Sequence, residues 1–369
     1  MKKTYRAAVI GRSGRGNYGH GLDTVWKEVP GVELVAVADD NKMGLASAVK
    51  RLGVEQGFVD YREMLDKVKP DVVSIAQRWV DQHAEMAIEC AARGIHMYME
   101  KPLCRTLAEA DEMVAACEKT HTKLAVGHIT RYSPLIDTVK QMLAEGKIGR
   151  VLEFRARGKE DRRGGGEDTW VLGSHMMNLI RTFGGQPTWC FATVRANGKP
   201  IAKADVIEGN EGLGPLAGDA VSATYGMPND AIATFASIRN ASSGKSAQSR
   251  FALQICGSGG IIELTSNYHP QVSILQDPSW SPLRGKGAWQ DVPPPGAAAE
   301  TDSDLRHAGG NLAVATDLLQ AIEDNRQPLC SVYDARAAVE MIVAAFESQR
   351  VGGPVTLPLA SRVNPLTRL

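Results

Sequence analysis

Gly11-Arg-Ser-Gly14-Arg-Gly16-Asn-Tyr-Gly19 follows a short apolar run at residues 6–10. Here residue types and spacing first point to chemistry. A glycine-rich turn leaving a strand lets backbone N–H groups approach a pyrophosphate, and a helix starting there would add a favourable dipole. Two frames fit. Gly14-x-Gly16-x-x-Gly19 matches the dinucleotide fingerprint by letter but starts three residues after the strand. Gly11-x-Ser13-x-x-Gly16 starts at the strand end with serine in the middle; geometry favours it, with Gly14 widening the turn. The expected phosphate-side residues are Gly11, Arg12, Ser13, Gly14, Gly16 and Asn17. Asp39 ends a second apolar run, residues 33–38, roughly the 20-odd residues on that a ribose-binding acid requires. A carboxylate there accepts from ribose hydroxyls and repels a 2′-phosphate. NAD is therefore expected over NADP, with Arg12 or Arg15 partly offsetting the repulsion.

The elements that must position these residues alternate. Residues 71–76, 96–99 and 123–126 read as further buried strands. Between them, residues 81–93 carry Ala84, Ala87, Ile88 and Ala91 on one helical stripe with Gly94 as terminator, and Thr106-x-x-Glu109 is a capping box. This alternation predicts an α/β Rossmann dinucleotide-binding domain over residues 1–126, its parallel sheet covered on both faces. Glu100-Lys101-Pro102 follows the fourth strand directly, at the carboxyl end where doubly wound sheets bind ligands. After residue 126 the pattern changes. A helix at 134–144 precedes strand-like segments at 151–157, 189–196, 220–226, 231–238, 251–256 and 261–265. Pro228-Asn229-Asp230 and Gly257-Ser258-Gly259-Gly260 read as hairpin connections. Residues 127–369 are thus expected to form an α+β domain on an open, mainly antiparallel β-sheet. A Pro/Gly/Ala-rich loop is expected at 277–304, and helices at 312–324 and 335–350.

In order and spacing these segments resemble the Gfo/Idh/MocA family of sugar and polyol oxidoreductases. The resemblance covers nearly the whole chain. It rests on the strand-one turn, Ala38-Asp39, the segment from Ile75-Ala76-Gln77 to Glu100-Lys101-Pro102, and Gly164-Gly165-Gly166 leading to Gly173-Ser174-His175. It extends from Asp334-Ala335-Arg336 through Glu347-Ser348. It implies an NAD(H)-dependent enzyme moving a hydride between nicotinamide and a secondary alcohol or ketone of a sugar, polyol or related cyclic alcohol. In such enzymes the lysine of Glu-Lys-Pro sits between nicotinamide and substrate hydroxyl, which assigns catalysis to Lys101. Oxidising an alcohol develops negative charge on its oxygen, and a fixed ammonium stabilises it. The Lys-Pro bond is of the one type that adopts cis cheaply. His175 matches the family's second-domain histidine, suited to proton exchange. The resemblance also puts Gln77, Trp79, His83 and Glu100 with Lys101 on the cofactor side. The charged, glycine-rich segment before His175 is a substrate wall: Arg162, Arg163, Glu167, Asp168 and Trp170 are its expected contacts, with Arg131 in the same cleft. Where many members carry Asp, this chain has Val171 and Asn178; Glu167 and Asp168 are the acids nearest in sequence. That incomplete set keeps two alternatives open: an NAD-dependent glycoside-cleaving enzyme working by oxidation and elimination, and a non-catalytic nucleotide-binding sensor.

Bulk properties narrow the partners. Lys+Arg and Asp+Glu stand at 42 each, so no net field favours nucleic acid or an anionic membrane. No apolar run approaches the roughly 20 residues of a membrane span, and the expected setting is cytoplasmic. Six cysteines without Cys-x-x-Cys spacing read as buried reduced thiols, and eight histidines without zinc-type spacing predict no metal. The resemblance implies a homo-oligomer, dimer or tetramer, formed through the exposed face of the second sheet.

Overall fold

The computed structural model describes residues 4–242, 250–266, 270–295 and 310–369. They form two compact units. The first takes the chain as far as Ile129 and adds Asn210–Gly214 and Gly310–Arg336; the second takes the rest. Residues 310–336, placed in the second domain by chain order, thus fold into the first unit.

The first unit is built on a six-stranded parallel sheet in the order β3-β2-β1-β4-β5-β6. Its strands are β1 (Tyr5–Ile10), β2 (Val32–Ala38), β3 (Gln56–Phe58), β4 (Val72–Ile75), β5 (His96–Met99) and β6 (Leu124–Val126). All residues of β4 and β6 are buried, which is why they read as unbroken apolar runs rather than alternating ones. Four helices complete the alternation: α1 (Lys42–Leu52), α2 (Tyr61–Val68), α3 (His83–Ala92) and α4 (Leu107–Thr120). Thr106 caps α4 by accepting from Glu109 N–H at 3.1 Å. The returning Glu109 carboxylate takes Arg105 N–H at 2.8 Å, one residue before the position a capping box prescribes. Asn311–Glu323 packs against β5, β6 and the 3₁₀ turn Val25–Lys27. Within that turn Trp26 is fully buried and donates to Ser74 Oγ at 2.7 Å, while Ser74 Oγ donates to Leu22 O at 2.7 Å. The Trp26 indole N–H and the Ser74 hydroxyl are thereby both satisfied.

The helix expected directly after the glycine turn is absent among the described residues. Between β1 and β2 lie turns and the three-residue Val25–Lys27. Gly14, Gly16, Gly19 and Gly21 all have φ between +63° and +91°, and Asn17 has φ +52°. A right-handed helix cannot propagate through such residues.

The second unit carries a ten-stranded sheet, nine strands along one path and Lys199–Pro200 paired off it against Trp189–Ala196. Its path runs Trp289–Val292, Val272–Leu275, Gly260–Thr265, Ala252–Gly257, Val151–Arg157, Ile232–Ile238, Ala220–Gly226, Trp189–Ala196, Val355–Thr356. Val151–Arg157 and Ile232–Ile238 pair in parallel, and the other pairs on this path are antiparallel. Phe154, Phe235, Leu253 and Ile255 fill the covered face, and Tyr225 OH donates to Met341 O at 2.9 Å. Trp289–Val292 corrects the loop expected at 277–304: four residues of it form an edge strand. Residues 296–304 of that expectation lie outside the described residues.

Candidate functional site

Gly11 leaves β1 with its N–H on Ala38 O at 3.0 Å. Arg12 and Asn17 then exchange both backbone hydrogen bonds, at 3.0 and 2.9 Å, closing a tight turn with Gly14 and Gly16 at positive φ. The turn packs too closely for side chains. A β-carbon on Gly16 would stand 2.5 Å from Trp79 N, and one on Gly19 would stand 2.5 Å from Ala76 O. The close approach assigned to these glycines is therefore real, but in this structure it serves the contact with the ends of β4 and β5.

Asp39 is 2% exposed. It accepts from Ser13 N–H at 3.1 Å, Ser13 Oγ at 2.7 Å, Tyr18 OH at 2.7 Å and Asn41 N–H at 2.9 Å. Arg12 faces Asp40 at 2.8 Å and Asp81 at 3.3 Å, while Arg15 lies 3.8 Å from Asp81 and over the Trp79 ring. Both arginines proposed to offset the Asp39 charge are thus engaged by other acids, and the acidic character at the end of β2 stands.

At the ends of β4 and β5 the remaining cofactor-side residues come together. Gln77 is fully buried; its Nε2 donates to Trp79 O at 3.0 Å, while its Oε1 has no hydrogen-bond partner among the described residues. An orphaned buried acceptor at the carboxyl end of a central strand fits a ligand bringing N–H or O–H donors. His83 behaves differently from the expectation. Its two ring nitrogens lie 3.0 Å from Pro102 O and 2.9 Å from Gln77 O, with no exposed surface. It ties the loop after β4 to the loop after β5 and has no nitrogen left for a cofactor. The Lys101–Pro102 peptide is cis. Glu100, 2% exposed, accepts from His20 N–H at 3.1 Å and Lys101 N–H at 3.0 Å, and its Oε1 lies 2.5 Å from His20 Nδ1. Burial pushes its carboxyl up, but the His20 hydrogen bond and the charges of His20 and Lys101 outweigh that and leave it below the ordinary range. An ionised, buried glutamate therefore fixes the backbone from which Lys101 projects.

The second unit holds the other expected residues. His175 lies on Gly173–Gly184, 9% exposed, edge-on to Phe251 with centroids 6.1 Å apart. Val171 is 3% and Asn178 2% exposed, so a buried aliphatic side chain stands where the family often has an acid. Asp168 is no open carboxylate. It is fully buried and accepts from Ser237 Oγ at 2.5 Å, Glu160 N–H at 3.1 Å and Lys159 N–H at 3.3 Å. Its expected place on the substrate wall is corrected accordingly: it braces the segment from inside. Trp170, 3% exposed, is likewise packed away. Arg163 is paired with Asp161 at 2.8 Å, Arg162 is exposed, and Glu167 and Arg131 are half-buried. Among the described residues no group of three His, Cys, Asp or Glu could hold a metal, and no helix is long and apolar enough to cross a membrane. All six cysteines are buried thiols outside any disulfide.

Sequence reasoning passed over Tyr18 and His20. Each stands at a spacer position of the glycine turn, and the one signal was an unusual polar ring between glycines.

A strand order that reverses between β1 and β4, an acid ending β2 and a lysine ending β5 define the first unit as a Rossmann dinucleotide-binding domain. Comparison with known proteins carries this further. Residues 5–128 match the model of an oxidoreductase family with an NAD-binding Rossmann fold, and residues 140–357 match that family's C-terminal alpha/beta domain. The chain belongs to the Gfo/Idh/MocA oxidoreductase family. It is 24% identical over 364 residues to scyllo-inositol 2-dehydrogenase (NAD(+)) of Bacillus subtilis (strain 168), covering 97% of each chain. A 2,7-anhydro-N-acetylneuraminate hydratase from Mediterraneibacter gnavus is 28% identical over 154 residues, 41% of this chain and 38% of that protein. A levoglucosan dehydrogenase solved with NADH and L-sorbose shares the fold at a TM-score of 0.75 and 20% identity, covering 97% of this chain and all of that one.

Proposed function

We propose that the protein is an NAD-dependent dehydrogenase or reductase acting at a secondary carbinol of a sugar, polyol or related cyclic alcohol. The observation that carries this reading is Lys101, held at the carboxyl end of β5 by a buried, ionised Glu100. NAD, when bound, would supply the hydride acceptor for oxidation of the carbinol carbon and, in its reduced form, the hydride donor for the reverse direction. The turn from Gly11 to Asn17, Asp39 and the Gln77 side-chain Oε1 would hold it. The ammonium of Lys101 stabilises negative charge on the substrate oxygen, a contribution worth about 10²–10³ in rate for a preorganised donor. The family resemblance gives proton exchange at that oxygen to His175. Arg131, Arg162 and Glu167 remain the proposed substrate contacts, since none of them is fully buried. The first unit serves as the cofactor domain and the second as the substrate and assembly domain. Trp189 and Ile232 flank Gly226 on neighbouring strands, and with Phe191 they leave exposed apolar surface. That supports a homo-oligomer, dimer or tetramer, and the setting we propose for it is cytoplasmic.

The test is reduced-nicotinamide absorbance against a panel of inositols, aldoses and anhydrosugars. Lys101→Met should lower kcat about a hundredfold or more while leaving NAD binding within about threefold. No turnover across the panel, or an unaffected Lys101→Met enzyme, refutes the reading. Val171 and Asn178, together with the similarity to a hydratase, favour one second reading: transient oxidation that sets up elimination. A cleaved glycoside without net NADH would establish it in place of the first.

A further inference from the structure

Asp39 is already saturated by its own chain. A carboxylate offers about four lone-pair positions. Oδ1 accepts from Asn41 N–H at 2.9 Å and Ser13 N–H at 3.1 Å. Oδ2 accepts from Ser13 Oγ and Tyr18 OH, both at 2.7 Å, and shares the Ser13 N–H. Two of these donors are backbone groups that hold the turn in register. The other two are hydroxyls, the same functional group a ribose diol would present. The Tyr18 ring adds a second obstruction. It lies so closely over Gly11 that a β-carbon there would stand 2.1 Å from the ring, covering the strand-end glycine that a dinucleotide backbone has to approach. Arg51 holds the ring from another side, its guanidinium carbon 4.8 Å from the centroid, and is itself paired with Asp23. Burial and the contact with Asp39 push the Tyr18 hydroxyl far above its ordinary range, so it stays a proton donor to Asp39 at neutral pH.

We propose that Tyr18 is an internal competitor of the dinucleotide: its hydroxyl stands in for an adenosine-ribose hydroxyl on Asp39, its ring caps Gly11, and both leave when NAD binds. The inference rests on the NAD reading above and adds a residue that sets affinity. Apparent affinity is the intrinsic value reduced by the fraction of chains with the loop open. A hydrogen bond to a charged acceptor shifts such an equilibrium by roughly tenfold to a hundredfold, and water repays part of that in the open loop. Tyr18→Phe keeps the ring and removes the hydroxyl.

The experiment is calorimetric titration of the full chain with NAD and, separately, with ADP-ribose, which keeps the adenosine, the pyrophosphate and the second ribose and lacks only the nicotinamide ring. Tyr18→Phe should bind both about fivefold to tenfold more tightly than the parent. Equal or weaker binding by the variant overturns the proposal. Failure of parent and variant alike to bind either ligand overturns the NAD reading, and the proposal with it. A measurement on the unaltered protein covers the case of a variant that does not fold. ADP-ribose should transfer a tyrosine from a buried to a wet surrounding, seen as a tyrosine band in the near-ultraviolet difference spectrum. Binding without that band overturns the proposal.

Discussion

Replacing Glu100 by glutamine tests whether a buried charge organises the Lys101 loop. The carboxylate takes His20 N–H and lies against His20 Nδ1 through one oxygen, and takes Lys101 N–H through the other. An amide can present oxygen to one side only. Whichever way it turns, an NH₂ group faces a backbone or ring N–H with almost no access to water. An unsatisfied buried donor costs about 1–3 kcal/mol, more where a charged acceptor is lost. Glu100→Gln should therefore lose about 2–4 kcal/mol, which at roughly 2–4 °C per kcal/mol lowers the melting temperature by some 5–15 °C. Calorimetric or circular-dichroism melts across pH give a second handle. The folded carboxyl titrates below its ordinary 4.5. Its contribution is therefore complete above that value and disappears as pH falls through the depressed one. The gap between parent and variant should stay level above about pH 5.5 and close in acid. A variant within 1 kcal/mol of the parent, or a gap that widens below pH 4.5, would falsify the idea that this charge organises the loop.

Two further perturbations separate strain from packing and stability from burial. Gly16→Ala places a β-carbon 2.5 Å from Trp79 N at φ +88° and should cost about 2–4 kcal/mol. Gly14→Ala, at φ +83° with nothing within 4 Å, bears only the left-handed strain of about 1–2 kcal/mol; equal melting temperatures for the two would refute the packing argument. At Asp168, burial raises the carboxyl above its ordinary 3.8 in spite of the Ser237 hydrogen bond. Relative to Asp168→Asn, the parent should thus lose stability as pH rises from 3.8 through the raised value and then level off. Asp168→Ala should lose about 2–4 kcal/mol by stranding three donors, a deficit that shrinks as pH rises through the raised value, and melts that rank Asn below Ala would contradict this.

The alternation of strands and helices was legible in the first unit because its central strands are covered on both faces and leave unbroken apolar runs. β3 was not: Gln56-Gly57-Phe58 is exposed to half-exposed and carries no periodic signal. The glycine turn announced itself by composition, but the helix expected behind it depended on dihedral angles that letters do not specify. Gly19 and Gly21 could have sat in a helix; both lie at positive φ instead. Asp168 and Trp170 read as an open charged segment because their burial is set from a distance: Ser237, the partner of Asp168, lies 69 positions along the chain. Lys101 was found by its place after a strand, whereas its anchoring through His20 to Glu100 spans 80 positions and no local pattern encodes it.

Asn311–Glu323 seals surface formed by Val25–Lys27, β5 and β6. Tyr98 OH donates to Asn311 at 2.7 Å, and Cys330 O accepts from Val126 N–H at 3.0 Å. This has a consequence in time. On a ribosome the first six strands emerge long before the helix that seals them, and at about 5–20 residues per second the interval is roughly 10–40 s. Thermodynamically the long connection is inexpensive, since each doubling of a loop adds only about 0.6 kcal/mol. Kinetically it leaves apolar surface of the nascent sheet uncovered while the second unit is being made as far as Gly309, which gives a chaperone a defined window and a defined surface to hold.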